Sequence, residues 1–234
     1  MNIIDILILL VLFISIAYGF YRGSVATLLG LAGCLTAFVF AYFATPYLAA
    51  WLGSNRGVTE LLVTYTDAGS LVGDYSLATT QVATMSESAI QTVLKSVSLP
   101  SGIAAILRNN LAGAAFASVG MTTVNDYVSY TIVAVVLQSA SFVCCFFAAF
   151  IAAHALISLV SHVFHFSVLK HFDGLMGGVF GLLRGALVLY VLFLMLPVVT
   201  TVIPLDLLDP FIEESSLSAI FALDSFFTRI VTGG

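Results

Sequence analysis

The chain has 234 residues, 61% hydrophobic and 8% charged, with a mean hydropathy of +1.13. Seven Lys and Arg against twelve Asp and Glu give a formal charge of −5, which leaves no basic stripe for nucleic acid. So apolar a chain of this length reads as a small polytopic membrane protein with little sequence to spare for a soluble enzyme.

Residues Ile3 to Phe20 form the first apolar run. A run of about 18 to 20 such residues crosses the roughly 30 Å hydrocarbon core as a helix, which satisfies its own backbone groups where water is absent. The opening Met1-Asn2-Ile3-Ile4-Asp5 lacks the basic start of a cleavable leader and Arg22 follows the run, so the segment reads as a retained span. A second span runs from Ser24 to Thr45, with Gly30, Gly33, Ala37 and Ala41 giving it a small-residue face.

From Pro46 to Asn125 lies the sizeable region outside the spans. Ala83 to Val97 reads as a helix with Met85, Ala89, Val93 and Val97 on one face, ended by Pro100. Ser101 is placed to cap a second helix through Ile103, Ile106, Leu107 and Leu111, weakened at its far end by Asn109, Asn110 and Gly113. The expectation is a helical hairpin on the outer membrane surface.

Thr123 and Asp126 have capping-box spacing and mark the start of the third span. That run extends from Tyr127 to about Phe166, roughly forty residues and more than a bilayer needs, so its end is expected to project from the cytoplasmic surface around His154 to His171. The fourth run covers Gly185 to Pro204. After it come Asp206, Asp209, Glu213 and Glu214, then an amphipathic stretch, Ser216 to Val231, with Ile220, Leu223, Phe227 and Ile230 on one face. This tail either lies in the interface or packs on the middle hairpin.

Arg22 between the first two spans, and Lys170 with His171 between the last two, place both loops in the cytoplasm. The N-terminus, the middle region and the tail are then extracytoplasmic. Tyr18, Tyr21, Tyr42, Tyr47, Trp51, Tyr127 and Tyr130 stand near span ends, as interfacial rings do. Cys34, Cys144 and Cys145 fall within apolar runs and read as packing residues.

The most specific pattern runs from His171 to Gly185, with glycine at Gly177, Gly181 and Gly185. On a helix these form one stripe that admits a neighbouring backbone, and the stripe is expected to meet Gly30 and Gly33 of the second span. Arg184-Gly185 echoes Arg22-Gly23. Each Arg can snorkel at the inner boundary. Alternatively Arg184 lies deeper and pairs with a carboxylate. Asp173 is about 16 Å away along one helix, so the partner would be Asp173 of a neighbouring copy, Asp5 or another group.

These residues resemble the colicin V production protein (CvpA) family, small bacterial inner-membrane proteins. The early Asp5, the Arg22-Gly23 turn and the pattern D-x-x-x-G-x-x-F-G-x-x-R-G at Asp173, Gly177, Phe180, Gly181, Arg184 and Gly185 carry the resemblance. Gly174 stands where the family often has Arg. The resemblance implies a part in production or export of a peptide toxin and a wider envelope role, without a settled chemical activity. Some related proteins add an extracytoplasmic serine protease, which is not expected here.

No G-x-S-x-G, P-loop or H-E-x-x-H sequence occurs. His154, His162, His165 and His171 lack a Cys or carboxylate at ligand spacing, so neither a metal nor a cofactor is expected. The expected fold is an all-α membrane protein. Transmembrane helices 1 and 2 occupy residues 1–45, an extracytoplasmic helical insertion 46–125, helices 3 and 4 with a cytoplasmic loop 126–204, and an amphipathic tail 205–234. The expected partners are the lipid bilayer and either further copies or other membrane proteins, in a non-catalytic role. The alternative is an oligomeric transporter or channel subunit for a small solute or ion.

Overall fold

The computed structural model describes residues 3–66, 72–97, 99–163 and 173–196. The chain is an all-α membrane protein: among the described residues four helices are long and apolar enough to cross a bilayer, and there is no strand beyond one isolated bridge between Gln81 and Thr123. The chain divides into two compact units.

The first unit takes in residues 1–45 and 141–195 among others. Helix α1, Ile3–Arg22, and helix α2, Ser24–Gly53, are separated by Gly23 alone. Gly23 ends α1 with φ +84°, a left-handed conformation that glycine adopts without a Cβ penalty. The sequence expectation that α2 ends before Pro46 is corrected: the helix continues through Pro46 to Gly53. Proline there removes the N–H that would bond the Tyr42 carbonyl, a loss tolerated within apolar helices by local adjustment of the backbone.

Many large side chains of the long helices point outward. Ile6, Phe13, Ile14, Val39, Phe40, Phe43, Ile151, Leu156, Leu159, Leu175 and Leu183 are all exposed. In water such a surface would be an aggregation patch, whereas in lipid it is the solvated face.

The second unit includes residues 46–140. It holds helices α3 (Arg56–Thr66), α4 (Tyr75–Ala78), α5 (Glu87–Ser96) and α6 (Ser101–Ala112). Helices α5 and α6 pack together, as the hairpin pattern implies, around buried Ile90, Val93, Val97, Ile103, Ile106, Leu107 and Leu111. Arg108 bridges to Glu87 at 2.6 Å on the outside. Two details differ from the sequence expectation. Ser86 caps α5, its hydroxyl accepting from Ala89 N, and α6 is preceded by Pro100, with Ser101 already its first residue.

Helix α7, Val124–Val163, starts where the capping box places it. Asp126 N donates to Thr123 Oγ1 at 3.2 Å, and Thr123 N donates to Asp126 Oδ2 at 3.1 Å. Its first turns are buried in the second unit. Asn110 donates to Thr131 at 3.0 Å, and the Tyr127 hydroxyl accepts from Phe116 N at 3.2 Å. The described part of this helix is forty residues long and ends at Val163, past His154.

Helix α8, Asp173–Phe193, corrects the expected fourth span. The glycine-rich residues before Gly185 are helical, so the span begins at Asp173 and Arg184 stands near its middle. At about 1.5 Å per residue α8 matches the hydrocarbon thickness. The expected amphipathic tail, Ser216 to Val231, lies outside the described residues, as do Lys170, His165, His171 and the side chain of His162.

Candidate functional site

The residues singled out in α8 converge on α1, within the first unit. Ser15, Gly19 and Gly23 repeat every fourth residue along α1 and face Gly177, Gly181 and Gly185 of α8. A Cβ on Gly19 would fall on the Gly177 carbonyl, 2.9 Å from its carbon and nearer still to its oxygen. One on Gly177 would stand 2.9 Å from the Gly23 carbonyl carbon, and one on Gly181 would stand 3.1 Å from that of Ser15. These are backbone atoms, so only the absence of side chains permits the approach. The Ser15 hydroxyl donates to the Gly181 carbonyl at 2.7 Å in the buried seam.

The expectation that this stripe meets α2 is thereby corrected, because α1 offers a matching row of small residues and α2 does not receive the stripe. Gly33 instead faces the Ile157 side chain of α7, 2.8 Å from an added Cβ, and Gly30 faces Arg184 at 3.4 Å. Within α2 the small residues make room for side chains, while in α8 Gly177 and Gly181 make room for backbone and Gly185 for the Ser15 side chain.

Asp173 sits at the start of α8 and closes the corner between α1 and α2. Its Oδ1 accepts from Ser24 N at 2.7 Å and from the Ser24 hydroxyl, giving the first turn of α2 a carboxylate where free amides and the helix dipole favour one. A Cβ on Gly23 would stand 3.1 Å from the Asp173 carboxyl carbon, so this glycine is required by both its φ and its neighbour. Thr27 completes the corner, its hydroxyl donating to the Gly23 carbonyl at 2.7 Å.

Asp173 is thus spent on α2, not on Arg184. Arg184 lies over the Tyr18 ring at 5.1 Å, and Arg22 lies over the same ring at 5.3 Å. The quadrupole of one aromatic face attracts each cation. The two charges, no more than about 10 Å apart, repel by at least roughly 1.6 kcal/mol at an effective dielectric constant of about 20. Asp5 is buried at 6% exposure in the first turn of α1. Thirteen residues of helix, about 20 Å, separate it from Tyr18, so it is not the partner of Arg184. Phe180 is half-buried on α8.

Tyr18, Arg22, Thr27, His154, Ser158 and Arg184 line a crevice of about 140 Å³. It continues into a groove of about 420 Å³ that shares Tyr18, His154 and Arg184 and is otherwise walled mainly by Val11, Ile14, Phe150 and Val188. His154 is held by stacking on Phe150, with ring centroids 5.6 Å apart. No carboxylate lines either hollow among the described residues, and no group of three metal-ligating side chains occurs among them.

Sequence reasoning passed over Ser15 and Gly19, although the four-residue spacing that marked α8 is equally present in Ser15, Gly19 and Gly23. It read Tyr18 as an interfacial ring and placed His154 at the start of a projecting helix end. Their meeting with Arg184 depends on the register of α1, α7 and α8, which no local pattern records.

Compared with known proteins, the chain matches the family described as colicin V production protein over residues 4–101 and 104–224. No curated protein and no solved structure matches it. With the match covering nearly all of the sequence, and the Asp173, Gly177, Gly181, Arg184 and Gly185 pattern built into one helix seam, the chain belongs to the colicin V production protein family.

Proposed function

We propose that this chain is a non-catalytic protein of the bacterial cytoplasmic (inner) membrane that supports production or export of a colicin V-type toxin, and envelope function, through contacts with other membrane proteins. The observation that carries the reading is how the family pattern is used. Its glycines bring two backbones together and its aspartate caps a helix, with the adjacent Ser24 hydroxyl serving the same cap, so the pattern builds a rigid frame. The glycine seam is occupied within the chain, so a partner, or a second copy, engages another apolar face. In this reading the Arg22 corner is cytoplasmic and both termini are extracytoplasmic, from the placement of Arg22 and Lys170. Topology reporters at Lys95 and Lys170 test that orientation.

The functional test uses a host that carries a colicin V-type operon and lacks its own family member. Wild type should restore secreted toxin, and Gly19→Leu, inserted but with its seam forced open, should not. Full secretion by an inserted Gly19→Leu protein would overturn the reading, and in-cell crosslinking would identify the partner. The convergence of Arg22, Arg184 and His154 on one crevice favours a second reading, an oligomeric transporter or channel subunit. Solute or ion flux in proteoliposomes that disappears in Arg184→Ala would select it.

A further inference from the structure

The crevice and groove of the first unit form one composite hollow with two chemistries. At one end Arg22, Arg184 and His154 present three nitrogen-bearing side chains around Tyr18 and Thr27. At the other, Ile14, Phe150 and Val188 wall a larger apolar space. Arg184 and His154 belong to both, so the two ends are continuous.

Neither guanidinium has a carboxylate partner among the described residues, where Arg108 with Glu87 is the ion pair that forms. Asp173, which shares an adjoining hollow with Arg22, is committed to Ser24. An arginine in the middle of an apolar helix is costly to keep without an anion, and a second positive charge on the same ring adds to that cost. Planar guanidinium groups bind phosphate oxygens through charge-assisted hydrogen bonds, often in pairs. A ligand that answers both ends carries a phosphate and a hydrocarbon chain in one molecule.

We propose that this hollow seats an anionic phospholipid, its phosphate held by Arg22, Arg184 and His154 and one acyl chain laid along Ile14, Phe150 and Val188. The groove selects a lipid over a free anion because the apolar space is the larger of the two. The bound lipid also relieves the repulsion between the two guanidinium groups, and so acts as a structural part of the frame. The proposal does not depend on the toxin-support reading, since binding is measured on the purified protein.

The test is native mass spectrometry of the full chain released from micelles. The probes are phosphatidylglycerol, phosphatidylcholine with the same acyl chains, and inorganic phosphate. Both lipids carry the phosphate, but the choline ammonium of phosphatidylcholine would be repelled by the two guanidinium groups, so wild type should retain phosphatidylglycerol over phosphatidylcholine by about tenfold. Arg22→Gln with Arg184→Gln should bring the two lipids to parity, and Arg56→Gln on α3 should change nothing. Val188→Trp keeps every charge but fills the groove, and should lower retention of phosphatidylglycerol even if the double variant fails to fold. Equal retention of both lipids by wild type, or retention unchanged in Val188→Trp, would overturn the proposal. Displacement of phosphatidylglycerol by millimolar inorganic phosphate would also overturn it, by assigning the site to a soluble anion.

Discussion

Alanine at Gly181 sets two forces against each other. By helix propensity alone, replacing an interior glycine stabilises a helix by about 0.5–1 kcal/mol. In the seam, however, the new Cβ would lie 3.1 Å from the Ser15 carbonyl carbon and closer to its oxygen, and neither atom can swing aside. Relief requires α1 and α8 to part. Overpacking of this kind costs about 1–3 kcal/mol, and the Ser15 to Gly181 hydrogen bond that would stretch is worth about 0.6 kcal/mol in a membrane setting. The net expectation is a loss of roughly 0.6–3 kcal/mol. Gly178, one turn away on the same helix, supplies the control. Its added Cβ would meet the Ile16 side chain at 3.5 Å and the Ile16 carbonyl oxygen at 3.9 Å, both ordinary contacts, so Gly178→Ala should gain the propensity term of about 0.5–1 kcal/mol. Reversible unfolding in mixed micelles, followed by circular dichroism, measures both. Equal stability of the two variants would refute the backbone-contact argument.

Three further outcomes are expected. Gly23→Ala must place a side chain at φ +84° against the Asp173 carboxylate, and Asp173→Ala removes the cap of α2. Each should lower the thermal midpoint in micelles, the second by the equivalent of about 0.5–2 kcal/mol, and unchanged midpoints would show that the corner is not held by this pair. Thr123→Val should cost a similar loss of about 0.5–2 kcal/mol at the first turn of α7, read as faster hydrogen exchange at Val124 to Tyr127, with unaltered exchange counting against the capping box. Arg108, with Gln91, holds the Glu87 carboxyl below its ordinary range by hydrogen bonding. A depressed carboxyl value stabilises the fold above the unfolded value, and that contribution disappears as pH falls through the lower folded value. Exchange across α5 and α6 should therefore rise more on acidification in wild type than in Glu87→Gln, and parallel profiles would remove Glu87 from the account.

The features read correctly from sequence are those written in a single segment. The apolar runs give three of the spans close to their observed starts, Thr123 with Asp126 gives the start of α7, and the spacing of Gly177, Gly181 and Gly185 gives a close-packed face. The errors come where one residue type serves two physical roles. Proline at Pro46 stops helices in water yet rides inside α2. Glycines before Gly185 lower hydropathy and so hid the true start of α8, although packing against α1 offsets their cost as helix formers. Two helices carried small-residue faces fit to receive α8, and the choice of α1 over α2 rests on three-dimensional register, as does the grouping of Tyr18 with Arg22, Arg184 and His154.

The seam between α1 and α8 joins the earliest span to the latest one described. During synthesis the notch at Ser15, Gly19 and Gly23 reaches the bilayer long before its complement is translated. Until α8 arrives, bare peptide groups in that notch face acyl tails or a chaperone. Such delayed closure makes translation of α8 the step that locks this frame, and it leaves a product terminated before α8 with a recognisable scar for proteolytic surveillance.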